Sequence, residues 1–236
     1  MGKFLVKFFL IILITVFSLI IFFTYVGLET NRFNELIKNR ANEINQNVNL
    51  EFEKTKVNLN LIELDLVVKL KNPKVLIKNN EINLSRLDLF LSIKSFFSSD
   101  FLLKKVEIAF VKNDIKDLTK ITNIFLPRII NKQLKKIFAK GNLEGEFVIP
   151  FESDGSVRKD YRFSGKLSEA SINLTEEFLI KNLTIEINHG KGVEDDGFTA
   201  TIKKGSLFDL ELAGTAINLK RKGNETKIKS LLHTNG

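Results

Sequence analysis

The chain has no cysteine, which removes a disulfide framework, a thiolate metal site and a lipobox anchor, although the absence fits any compartment. It has only two histidines, His189 and His233, far apart and beside turn-like stretches. No HExxH, GxSxG, Walker loop or GxGxxG occurs. Glu194, Asp195 and Asp196 lack EF-hand spacing and read as a polar hairpin turn leading into Gly197. No catalytic residue, metal site or cofactor is expected. Arg-rich clusters interleaved with aromatics are missing too. The net charge of +8 comes mostly from lysines with acids between them, as in Glu51-Phe52-Glu53-Lys54 and Lys104-Lys105-Val106-Glu107. Abundant Lys, Asn, Ile and Phe with little Ala is the bias of AT-rich coding, so no nucleic-acid partner is expected. Sequons at Asn83, Asn173, Asn182 and Asn224 carry no weight in a chain this rich in asparagine.

What is present begins with an uninterrupted apolar run from Phe8 to Leu28. At 1.5 Å per residue it reaches about 31 Å, enough for a hydrocarbon core of about 30 Å. No small-x-small cleavage site follows Phe23, so residues 1–28 are read as a cytoplasmic tip and an uncleaved transmembrane anchor. Lys3, Lys7 and the amino terminus favour a cytoplasmic start with the remainder exported.

Residues 29–47 place Phe33, Leu36, Ile37, Ala41 and Ile44 at helical spacing, predicting a short amphipathic helix that either lies on the lipid surface or, the favoured reading, caps a sheet. Between 48 and 112 the period becomes two: Val57, Leu59 and Leu61; then, after a phase slip near Ile62, Leu64, Leu66, Val68 and Leu70. The alternation recurs at Ile82-Leu84, Leu87 to Ile93, and Val106-Ile108-Phe110. Such spacing cannot hold one face of a helix and predicts half-buried antiparallel strands. Residues 113–140 return to helical stripes, Ile115, Leu118, Ile121 and Phe125, then Ile130, Leu134, Ile137 and Phe138. Pro127 divides them, and Gly141 is read as the stop. From 141 to 236 strands resume, through Phe147-Ile149-Phe151, Phe163-Gly165-Leu167, Ala170-Ile172, Leu183-Ile185-Ile187, Phe198-Ala200-Ile202 and Leu210-Leu212. Ending at Asn235-Gly236 without a closing element, this second segment is expected to continue in a longer protein.

Two stretches resemble the AsmA-like superfamily, in particular its YhdP- and TamB-type members. One is Asn83 to Phe97 with the strand Leu103 to Phe110; the other is Phe125-Leu126-Pro127 through Ile137 to Gly145, with Phe163-Ser164-Gly165-Lys166-Leu167. The resemblance implies a bacterial inner-membrane anchor and a mainly β, taco-like antiparallel groove in the periplasm, interrupted by a helical insertion. Such a groove carries phospholipid towards the outer membrane, with outer-membrane or other envelope proteins as further partners. Its lining would be the inward set Val57, Leu59, Leu61, Leu64, Leu66, Val68, Leu87, Leu89, Leu91, Val106, Ile108, Phe110, Phe147, Ile149, Phe163, Ile172, Ile185, Leu210 and Leu212. Two alternatives share the single anchor. An LptC-like lipopolysaccharide-bridge component would not need the insertion at 114–139. A non-catalytic scaffold or assembly factor would bury the same residues in a closed core.

Overall fold

The computed structural model describes residues 2–44, 46–77, 80–94, 102–119, 136–173, 178–190, 198–207, 210–212, 214–222, 225–231 and 234–235. It begins with α1 (Gly2–Ile21), prolonged by one π-helical turn, Phe22–Val26. The span Phe4–Val26, 23 residues, is long and apolar enough to cross a membrane, and none of it is buried against the rest of the protein. Its two threonine hydroxyls are satisfied within the helix: Thr15 donates to the Ile11 carbonyl at 2.9 Å and Thr24 to that of Ile20 at 2.8 Å. That is what a segment surrounded by hydrocarbon requires.

The apolar segment ends at Val26, two residues before the expected boundary, because Gly27 turns the chain through a left-handed φ of 75°. A Cβ at this position would lie 2.8 Å from the Val57 carbonyl oxygen. Leu28 therefore starts a strand, β1 (Leu28–Thr30), which pairs with β3 (Lys54–Asn60) from Leu28 opposite Val57 to Thr30 opposite Thr55. Thr55 is wholly buried, and its hydroxyl bonds the Thr30 carbonyl.

Next come α2 (Asn34–Ile44), β2 (Val48–Glu51), β4 (Asp65–Lys71), β5 (Lys74–Ile77), β6 (Asn80–Ser92) and β7 (Leu103–Asp114). Then follow β8 (Phe138–Pro150), β9 (Arg162–Asn173), β10 (Leu179–His189), β11 (Phe198–Leu207) and β12 (Leu210–Leu212). The last are β13 (Thr215–Lys222), β14 (Glu225–Leu231) and β15 (Thr234–Asn235). All pairings are antiparallel and join 15 strands in one sheet. Among the described residues its first strand, β1, meets only β3, so the sheet is open. It forks at β6, whose first half pairs with β5 and whose second half pairs with β4.

Register decides which residues share a face, since directly opposed residues point the same way. One row runs Val57, Val68, Leu89, Val106, Ile149. The next runs Leu87, Ile108, Phe147, Phe163, His189. A third runs Leu84, Phe110, Gly145, Gly165, Ile187, Ala200, and a fourth Leu143, Leu167, Ile185, Ile202. These rows make a continuous, largely apolar face from β3 to β11. The opposite face is mostly polar, with rows such as Lys69, Asp88, Glu107, Val148, Arg162, although it also holds the buried pair Val67 and Phe90.

At the anchor end the apolar face is covered. Phe33, just before α2, Ile37 of α2 and Leu50 of β2 pack on Val57, Leu66, Val68, Leu87, Leu89, Leu91 and Val106, with Val68 and Leu91 at 0% exposure. The capping role expected for residues 29–47 is thus what α2 performs. A second core gathers Leu167, Ala170, Leu183, Ile202 and Leu212 around Ile115.

The phase slip near Ile62 is a turn, one of the two forms such a slip allows, and Leu61 and Leu64 lie in it, not in the strands. Two further local readings change. The strand β7 continues to Asp114, beyond the expected start of the insertion at 113; residues 115–119 are helical, while 120–135, including Pro127, lie outside the described residues. Finally, Phe138 to Lys140 and Gly141 belong to β8, not to a helix end. Gly141 marks a register shift against β9, where a Cβ would come 2.9 Å from that of Ala170. Close strand approach, rather than helix termination, is its requirement.

On the polar face the Arg86 guanidinium lies 3.9 Å from Asp88, 3.7 Å from Glu107 and 3.5 Å from Glu146. Burial pushes the Asp88 carboxyl above the ordinary carboxylate range; Lys69 and Arg86 pull it down, and Glu107 pushes it further up. A carboxyl held above its unfolded value stabilises the fold while protonated, and that contribution is lost as pH rises through the folded value. Two measurements follow. Leu91→Ala should cost about 2–5 kcal/mol in urea denaturation of the solubilised chain, whereas Leu61→Ala, in the exposed turn, should stay within about 0.5 kcal/mol. Asp88→Asn should be more stable than the parent at pH 7, with the difference closing as the pH falls through the carboxylate range.

Candidate functional site

Between the two cores the apolar face changes character. Phe110 of β7, Phe147 of β8 and Phe163 of β9 form a cluster, each ring half-buried. The Phe147 and Phe163 centroids are 4.5 Å apart, Phe110 to Phe147 is 6.2 Å, and the Phe110 and Phe163 planes are within 8° of parallel at 6.5 Å. These separations are those of attractive aromatic contacts.

Two glycines make the cluster possible. Gly145 and Gly165 face each other across β8 and β9, and the Phe163 ring folds back over them. A Cβ on Gly165 would lie 2.4 Å from Phe163 Cζ, and one on Gly145 would lie 3.1 Å from Cε2. Side chains at either position would push that ring off the sheet. Beyond Phe163 in the same row stands His189, with its ring 4.7 Å from that of Tyr161. It is the last residue of β10, beside the turn-like stretch that begins at Gly190.

The expected lining residues divide into four groups. Val57, Leu66, Val68, Leu87, Leu89, Leu91 and Val106 are buried beneath α2 and β2, and Leu59 and Ile108 pack against them. They form core at this end, not the wall of an open trough, because the sequence-distant Phe33, Ile37 and Leu50 occupy the space that acyl chains would need. Leu61 and Leu64 are turn residues facing solvent. Phe110, Phe147, Ile149 and Phe163 remain half-buried and lie together. Ile172 and Ile185 pack on the second core, Leu212 is inside it, and Leu210 is exposed.

Sequence reasoning missed Leu143, Leu167 and Ile187, which share the face. Their signal was available, since Leu143 and Leu167 sit two residues from Gly145 and Gly165 in alternating strands. The stretch Glu194 to Asp196 and His233 lie outside the described residues. Among the described residues no three His, Asp or Glu side chains converge as metal ligands would. What the described residues bring together is an apolar surface of half-buried rings, non-directional in what it offers a guest. Comparison with protein families, with curated proteins and with solved structures yields no match.

Proposed function

We propose that this chain is a membrane-anchored lipid-transfer protein. In this reading α1 crosses a bacterial inner membrane with its amino terminus in the cytoplasm, and the sheet stands in the periplasm and passes phospholipid towards the outer membrane. The observation that carries the reading is the half-buried Phe110, Phe147, Phe163 cluster, set on an apolar face that continues across β7 to β11. Four strand steps at the ordinary spacing span about 19 Å, the scale of one acyl chain.

The energetics suit such a surface. An acyl chain of about sixteen carbons in water costs on the order of 12 kcal/mol, at about 0.8 kcal/mol per methylene. Flat aromatic and aliphatic walls remove most of that cost without choosing among headgroups. Because α2 covers the anchor-proximal core, acyl chains in this reading meet the sheet from β7 onward, not along β3 and β4.

A second reading has its own support. The wholly buried Val68 and Leu91 belong to a sealed core, which suits an anchored scaffold or assembly factor. Photo-crosslinking separates the two. Benzoylphenylalanine placed at Phe147 or Phe163 of the full chain in cells should yield phospholipid adducts by mass spectrometry, while the same group at Leu89 should not. Lipopolysaccharide adducts would favour the bridge-component alternative. Failure at Phe110, Phe147 and Phe163 alike, in variants that remain protease-resistant, would leave the scaffold.

A further inference from the structure

We propose that the turn joining β3 to β4, Leu61-Ile62-Glu63-Leu64, is a second membrane contact, seated in the interface of the bilayer that α1 crosses. The inference rests on α1 being an anchor; it does not require lipid transfer.

The turn is apolar where turns are ordinarily polar. Ile62 is 95% exposed, Leu64 61% and Leu61 45%. Leu64 has a φ of 52°, a left-handed position that favours Gly or Asn, yet it holds a large apolar side chain. No core gains from this, since the side chain points away from both. A partner outside the protein is what such a residue would serve.

The backbone of the turn is prepared for a medium poor in hydrogen bonds. The Asn60 side-chain oxygen accepts the N–H groups of Ile62 at 3.1 Å and Glu63 at 3.4 Å. Its charges are met as well. Glu63 lies 3.7 Å from Lys105, and the adjacent Asp65, nearly buried, is bonded by Lys104. The tip thus offers side-chain hydrocarbon with few unsatisfied groups, as an interfacial contact demands.

Position names the occupant. One residue, Gly27, separates the apolar span from β1. The Asn58 side-chain amide donates to the carbonyls of Thr24 at 3.3 Å and Phe23 at 3.5 Å, the last turn of that span. Since β3 is antiparallel to β1, which leads away from the anchor, β3 runs back towards the side from which α1 emerges. The turn begins three residues beyond Asn58, about 10 Å further along the strand. Ile93, just after β6, and Leu102, just before β7, are each 38% exposed at the same end of the sheet.

The chain lacks cysteine, so single-cysteine variants carry one label each. Ile62→Cys, Thr15→Cys within the anchor and Lys71→Cys at the far end of β4 would be labelled with an environment-sensitive nitrobenzoxadiazole dye. The full chain would then be reconstituted in phosphatidylethanolamine and phosphatidylglycerol vesicles containing spin-labelled lipid. The expected result is quenching at Ile62 at least threefold stronger than at Lys71, with Thr15 also quenched. Leu64→Asn, which suits the left-handed backbone, should lower the quenching at Ile62 at least twofold. Quenching at Thr15 with none at Ile62 beyond the Lys71 level would overturn the contact and leave the anchor standing. No quenching at Thr15 would remove both.

Discussion

Edge-to-edge pairing sends alternate side chains to opposite faces, and a pairing that resumes its phase after each bulge from β3 to β11 joins those faces into two broad surfaces. One is mostly polar, and its few large apolar side chains, such as Val67 and Phe90, are buried in place, with Lys105 over the Phe90 ring. The other carries Leu, Ile, Val and Phe in row after row and has to be kept from water. Burying a single such side chain is worth about 1.5–3 kcal/mol, so leaving rows of them wet would outweigh the net stability of an ordinary domain. How this face is covered governs the rest of the molecule.

The protein uses two kinds of cover. Near the anchor, Phe33 just before α2, Ile37 of α2 and Leu50 of β2 join residues of β3, β4, β6 and β7 in a conventional dense core. Towards β10 and β11 a second core forms around Leu183 and Ala170. Between them the phenylalanines of β7, β8 and β9 lie on the sheet itself, with Gly145 and Gly165 supplying the space beneath Phe163. Rings resting on glycine shield backbone that would otherwise be open. They also remain half-exposed, and this is the part of the face that an apolar guest could reach without displacing α2.

Much of this was legible in the residues. The two-residue period of Val57 to Leu70 and of Val106 to Phe110 names both the strands and their apolar face, and the helical spacing of Phe33 to Ile44 names α2 as its cap. Alternation cannot say what covers that face, because the answer lies in contacts between distant segments; hence Leu89 and Leu91 read as groove and are core. The slip in period near Ile62 marks the turn there, but the period does not show that Leu61 and Leu64, each in step with its own strand, leave the sheet. The stretch ending at Gly141 failed for a different reason. Ile137, Phe138, the neighbouring lysines and a glycine fit a helix end locally, but pairing with Ile172 and Ser171 of β9 overrode that preference.

The junction at Gly27 gives these surfaces a common orientation. A flexible linker would let the sheet tumble above a bilayer, and its apolar turn would meet lipid only by chance. Here the left-handed Gly27, the pairing of Leu28 with Val57 and the hold of Asn58 on the Thr24 carbonyl fix the sheet to the end of the apolar helix within one residue. Each of these contacts is modest, about 1 kcal/mol for a typical hydrogen bond. Their effect is geometric, since they act at the hinge, where a small angular freedom would become a large displacement at β11. With α1 in a bilayer, the order of the sheet from β1 outward is then also an order of distance from the anchor, and the apolar face would lead from covered core beside the membrane to half-open aromatic rings beyond it.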